Sequence, residues 1–184
     1  MAEARLEDNG SGLAPASEGR FVVNLRDAQW LTSEEGEKQP TGAECPFESG
    51  KAEFPQLGFR IHVLAPGESN GLYHGENKQE DFLVLHGECR LLVEGEERRL
   101  RAWDFVHCPP WTEHIFVGAG DRPCAILMAG ARGDDWKVRY PLSELAAGHG
   151  ASATEETSDP DQAYAEFEPS RRGRPSYWNQ LPWA

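Results

Sequence analysis

Two histidines and three carboxylates sit at the ends of strand-like segments in one stretch of the 184-residue chain. His74, Glu76, Glu80 and Asp81 lead into the apolar run Phe82–Leu85, and His114 opens a second one, His114-Ile-Phe-Val117. Imidazole nitrogens and carboxylate oxygens are the donors that hold Fe, Mn or Zn as divalent ions. Side chains alternate along a strand, so Glu80 shares a face with Phe82 and Val84, and His114 shares one with Phe116. If both faces look into one interior, Glu80 and His114 converge, and His74 reaches the same point after a turn. Two imidazoles and a carboxylate on rigid strand ends would make a facial triad with positions left for water or substrate. Glu76 would then be a fourth, more oxygen-rich ligand. The competing reading leaves Glu76, Glu80 and Asp81 as solvated turn acids and His114 as a hydrogen-bonded histidine at a strand end. Spacing alone leaves both open.

The elements that must position these groups read as short strands. Phe59–Leu64 alternates, and Pro66-Gly67 turns the chain. Glu80–Leu85, Cys89–Val93, Phe105–Cys108, His114–Val117 and Cys124–Met128 follow as strands, with a hairpin around Glu94–Glu97 and a break at Pro109-Pro110. No helical period intervenes, which predicts an antiparallel sandwich or small barrel. Upstream, Phe21–Leu25 is a strand candidate, Thr32–Gly42 a polar loop, and Ala52–Pro55 an edge element ended by proline. Downstream, Pro141–Gly148 predicts a short helix. Asp159-Pro160-Asp161 predicts another, with Asp159 as N-cap and Pro160 at its first position.

The stretch Gly67–Gly118 resembles the cupins, whose two motifs are written G(x)5HxH(x)3–4E(x)6G and G(x)5PxG(x)2H(x)3N. Glu80 and Gly87 keep the E(x)6G spacing, and Pro109 and His114 keep their separation. His74 takes the first histidine position and Glu76 replaces the second. Both glycines of the second motif are tryptophans here, Trp103 and Trp111, and its closing Asn is Gly118. The resemblance implies an all-β, jelly-roll antiparallel β-barrel with short C-terminal helices, often a homodimer. It also implies a divalent metal held inside the barrel, with His74, Glu76, Glu80 and His114 as the ligand set. Trp111, beside His114, would either cover the barrel mouth or simply pack.

These readings divide the chain into a disordered N-terminus over 1–20, a cupin barrel over 21–140, and a helical and aromatic extension over 141–184. Tyr177, Trp178 and Trp183 make that extension too aromatic for a free tail, so it should pack on the barrel or on a second subunit. Net charge of −13 argues against nucleic acid and anionic membranes. The basic cluster near the end, Arg171–Arg174, is a short tail or a clamp onto the body. The absence of an apolar signal core or membrane-length run makes a cytoplasmic location the expectation. Cys45, Cys89, Cys108 and Cys124 lack paired spacing and read as small buried hydrophobes. His62, His86 and His107 read as structural or surface groups, although the face on which His62 lies with Arg60 and Leu64 is not assigned. The chemistry expected is that of a metal-dependent cupin acting on a small organic molecule, of oxygenase or isomerase type. The alternative is a non-enzymatic small-molecule binder with a degenerate or empty metal site.

Overall fold

The computed structural model describes residues 2–33 and 42–184, so the loop expected over Thr32–Gly42 lies almost wholly outside the described residues. Near the N-terminus, β1 (Leu6–Asp8) pairs with β2 (Leu13–Pro15). Then come β3 (Leu31–Thr32), β4 (Ala43–Pro46), β5 (Leu57–Leu64) and β6 (Gly75–Glu76). The long central strands are β7 (Glu80–His86), β8 (Glu88–Val93), β9 (Glu96–Arg101), β10 (Phe105–Cys108), β11 (His114–Ala119) and β12 (Cys124–Ala131). After β13 (Val138–Arg139) come α1 (Glu144–Ala147), α2 (Pro160–Ala163), β14 (Arg171–Arg172) and one 3₁₀ turn, Trp178–Gln180.

Two sheets carry the architecture, one ordered β10-β7-β12-β5-β4-β3-β14 and the other β11-β8-β9. Their pairings are antiparallel throughout. Leu64, Phe82, Val84, Ile126 and Met128 from the larger sheet meet Cys89, Leu91 and Phe116 from the smaller one in the main core. Removing a ring such as Phe116 from that layer would cost about 3–5 kcal/mol. The strands form separate sheets, and no closed barrel of the expected kind is found among the described residues. The chain passes from the large sheet to the small one where β7 runs into β8 through Gly87 alone, at a positive φ of 71°.

Strand alternation shows directly in β5. Leu64 joins the core between the sheets, while Ile61 and Val63 join a second cluster on the outer face of the large sheet. That cluster is built on Trp30, which is 0% exposed, with the rings of Trp178 and Trp183 at 5.3 and 5.7 Å. The aromatic tail therefore packs within its own chain. The basic cluster is a clamp: Arg171–Arg172 adds a strand to β3, and Arg174 donates to the carbonyl of Arg26 and lies over Trp178.

Three expectations need correction. The segment 1–20, read as disordered, forms the β1–β2 hairpin and packs on the body, and its small residues are what permit this. A Cβ on Gly12 would sit 2.2 Å from the Ala28 carbonyl oxygen. Phe21–Leu25 and Ala52–Pro55 form no strand. The helix signals fare better, since the Asp159 side chain accepts from the Asp161 amide at the start of α2.

The departures from the second motif also find a backbone explanation. Trp103 and Trp111 adopt φ of 78° and 71°, the left-handed region that favours glycine. Gly118 is required in its own right, because a Cβ there would lie 2.1 Å from the Ala65 carbonyl oxygen. Trp103 is 74% exposed and loses little burial on truncation. Trp103→Gly should therefore raise unfolding stability by about 1 kcal/mol. Gly87→Ala should lower it by about 1–3 kcal/mol, since its Cβ would also meet the Pro123 carbonyl oxygen at 2.8 Å. Denaturant midpoints of the two variants measure both effects.

Candidate metal site

Glu80 is the first residue of β7, beside Cys108 of β10 and Gly130 of β12. Period two carries its side chain to the face of Phe82 and Val84, both in the core between the sheets. His114 is the first residue of β11 on the opposite sheet. His74 is joined to it by a pair of backbone hydrogen bonds, His74 N to His114 O at 3.2 Å and His114 N to His74 O at 2.8 Å. This bridge sets the two imidazole centroids 5.1 Å apart, and the Phe82 ring lies 5.1 Å from that of His114.

The tautomers follow from the hydrogen bonds. His74 Nδ1 lies 2.7 Å from the Leu72 carbonyl and His114 Nδ1 lies 2.9 Å from the Thr112 carbonyl. A carbonyl only accepts, so both Nδ1 atoms carry the proton and both Nε2 atoms keep a lone pair. One ligand atom each from His74, Glu80 and His114 can be chosen so that all lie within 4.8 Å of one another. These residues line a cavity of about 590 Å³.

Electrostatics fit a site short of a positive charge. Burial holds the His74 imidazole below its ordinary range. Burial, then the neighbouring His74, lowers His114 to about 4. Burial, then the Glu76 carboxylate, raises Glu80 to about 8, against a smaller opposing pull from Arg60. The 3.6 Å approach of His114 Nε2 to Glu80 Oε2 is therefore not an ion pair at pH 7, since both groups are neutral there. Two neutral imidazoles and a carboxyl ready to release a proton are donors that a divalent cation satisfies and that a dry site leaves wanting.

Glu76, expected as a fourth ligand, stands outside this group. Its strand β6 pairs with β13, and its Oε2 accepts from Trp136 Nε1 at 2.7 Å. Asp81, one residue past Glu80, faces away and accepts from His107 Nδ1 at 2.7 Å. Trp111, expected over the barrel mouth, does not line the cavity; Trp136 does. The inward face of β5, left unassigned in the sequence, is the face of Arg60 and His62. Both reach Glu44 Oε2, at 2.9 and 3.3 Å, and all three line the cavity. Burial alone would raise the Glu44 pKa, but His62 and Arg60 outweigh it and hold that carboxyl at about 2. Tyr140 also lines the cavity, its ring 5.8 Å from that of His74, and no sequence pattern pointed to it.

Residues 60–130 match the family described as the cupin domain. That segment, rather than the whole chain, is what resembles the family. Three solved structures share its fold. A sugar phosphate isomerase of the cupin superfamily from Silicibacter pomeroyi is 19% identical over 68% of this chain and 88% of its own, with a TM-score of 0.55. A cupin-2 domain protein from Rhodospirillum rubrum is 19% identical over 80% of this chain and 93% of its own, at 0.54. A polyketide cyclase from Streptomyces resistomycificus is 11% identical over 89% of this chain and 99% of its own, at 0.54. At such identities the likeness is one of fold. No protein of curated function matches the sequence. The match covers β7 through β11 and the segment ahead of them, so His74, Glu80 and His114 all lie within the matched residues.

A pH dependence follows for the metal-free protein. Between pH 4.5 and about 8 folded Glu80 holds a proton that the unfolded chain has lost, so its contribution to stability declines as pH rises through that window. His114 acts oppositely: lowered from 6.5 to about 4, it adds stability as pH rises between those values. Of these two groups only Glu80 still titrates between pH 6.5 and 8. The melting temperature of chelator-treated protein should fall across that interval. Glu80→Gln should abolish the fall.

Proposed function

We propose that this protein binds a divalent metal ion, Fe, Mn or Zn, on His74, Glu80 and His114, and acts on a small organic molecule of the cavity. The observation that carries the reading is the pair of imidazoles whose Nδ1 protons are fixed on backbone carbonyls, leaving both Nε2 lone pairs near Glu80. When bound, such an ion would polarise an oxygen of the substrate or support O₂ chemistry, which are the isomerase and oxygenase types of reaction. The chain's own residues would do the rest. Phe82 and Met128 make part of the wall apolar and limit water. Glu76, outside the triad, is a carboxylate able to accept or return a proton at the cavity wall. Three protein ligands fit a site with open positions, and the jelly-roll architecture of the family would enclose it. A homodimer remains an expectation from the family resemblance.

One observation favours the alternative of a non-enzymatic small-molecule binder with an empty metal site. Glu80, raised to about 8, is neutral at pH 7 without any cation, so the buried cluster tolerates a metal-free state. Fold does not choose between enzyme and binder; neighbours of this fold include an isomerase and a cyclase.

Metal content and melting separate the two. Purified protein should carry close to one ion per chain by elemental analysis, and chelation should lower its melting temperature. At a free ion concentration of a hundred times Kd, the ion contributes about 2.7 kcal/mol. His114→Ala should abolish both the bound ion and the chelator effect. Protein that is isolated metal-free, and melts identically with added Fe(II), Mn(II) or Zn(II), would favour the non-metal binder.

A further inference from the structure

The polar groups of the cavity wall are unevenly satisfied. Glu44 accepts from His62 and Arg60, and Glu76 accepts from Trp136. The groups left with capacity beyond the triad include several donors. Tyr140 is 6% exposed and lines the cavity, and its hydroxyl has no hydrogen-bond partner among the described residues. The neighbouring Tyr164, by contrast, accepts from the Leu72 amide. Asn70 uses Oδ1 to accept from the Phe116 amide at 2.8 Å, which leaves Nδ2 only the Met128 sulfur at 3.7 Å. Arg60 engages Glu44 through Nη1 alone. No hydrogen bond to the described residues occupies the Tyr140 hydroxyl at the cavity wall, which leaves it free to donate to a ligand.

The space between these donors and the triad is open. Gly130 of β12 lies opposite both Glu80 of β7 and Gly58 of β5. A Cβ on Gly130 would meet only the Glu80 side chain, at 4.0 Å. Two strand spacings, about 10 Å, separate Glu80 from Gly58, over which the Arg132 guanidinium lies, and Arg60 stands two residues further along β5. Arg60 and Arg132 add positive charge to the wall against Glu44, Glu76 and Glu80. Arg132 is itself paired with Glu48 at 2.5 Å, and a divalent ion would offset the remaining carboxylates.

Given the metal reading above, we infer that the cavity is built for a small organic oxyanion, a carboxylate or phosphate ester, one end of which sits at the metal triad while Tyr140 and Asn70 donate to its oxygens. Tyr140 serves as a hydrogen-bond donor and not as a base: burial, then Tyr164 and Glu76, pushes its ionisation well above the ordinary phenol range. The oxygen-rich, acceptor-only end of such a ligand supplies what the donors lack.

The test is calorimetric titration of the Zn(II)-loaded full chain with malonate and with glycerol 3-phosphate, each against its uncharged counterpart, malonamide or glycerol. At least one oxyanion should bind about tenfold or more tightly than its neutral counterpart. Tyr140→Phe should weaken that binding about tenfold while leaving zinc content unchanged and the melting temperature unchanged or higher. Asn70→Asp, which keeps the acceptor for the Phe116 amide and removes the donor, should weaken it as well. The inference is overturned if neither oxyanion binds, if the neutral compounds bind as tightly, or if Tyr140→Phe leaves affinity unaltered. Zinc content measured on the same samples keeps the two readings apart. Oxyanion binding that depends on Tyr140 in protein that takes up no zinc would uphold the donor set and overturn the metal triad.

Discussion

The reciprocal backbone hydrogen bonds between His74 and His114 are the constraint on which the site depends. They stitch the segment ahead of β6 onto the first residue of β11, so two histidines distant in the chain become cross-strand neighbours. Side chains of such a pair stand on one face and close together. The same local geometry brings Leu72 O and Thr112 O, each two residues upstream of its histidine, to the respective Nδ1 atoms. Tautomer, ring orientation and spacing are thus all consequences of main-chain pairing. Glu80 is brought from the opposite sheet by β7, and the core of Phe82, Val84 and Phe116 holds the sheets at the separation that lets the three side chains meet.

Burial then decides the chemistry. Away from water, each of the three groups resists its charged form, which leaves two neutral imidazoles facing a carboxyl that keeps its proton into mildly alkaline pH. A cation would reverse the balance for Glu80 and use both Nε2 lone pairs. Beyond the triad the cavity is polar on its β5 side, where Glu44, Arg60 and His62 form a connected set, and aromatic on the Tyr140–Tyr164 side. Tyr164 and Phe167, which follow α2, pack with Leu72 and Tyr140 and close that flank. The C-terminal extension thus contributes to the cavity wall, while its final aromatic residues cover the outer face of the large sheet.

Much of this was legible in the sequence because it depends on local rules. Strand alternation located most of the core strands, with ends short by up to three residues, as at β12, and the Asp159-Pro160 start announced α2. Glu80 and His114 stood out because motif spacing and strand faces agreed. What stayed hidden depends on tertiary choices. Period two groups Arg60, His62 and Leu64 but cannot tell which face of β5 is inward, so three polar cavity groups were missed or set aside. Tyr140 and Trp136 reach the cavity only through the β6–β13 pairing, which two-residue strands do not advertise. Glu76 looked like a ligand by position, yet that pairing and Trp136 hold it aside. The small residues at the N-terminus read as disorder, whereas at Gly12 the missing side chain is what lets the hairpin pack. Trp103 and Trp111 mark the reverse case, a left-handed backbone that favours glycine but is held by tryptophan.

The most direct measurement is a crystal structure of protein grown with Mn(II), with anomalous scattering recorded at the manganese absorption edge. A single strong anomalous peak should lie about 2.0–2.3 Å from His74 Nε2, His114 Nε2 and a Glu80 carboxylate oxygen, with Glu76 still on Trp136. A map with no peak among these three side chains, at a manganese concentration that leaves the fold intact, would contradict a metal role for the triad.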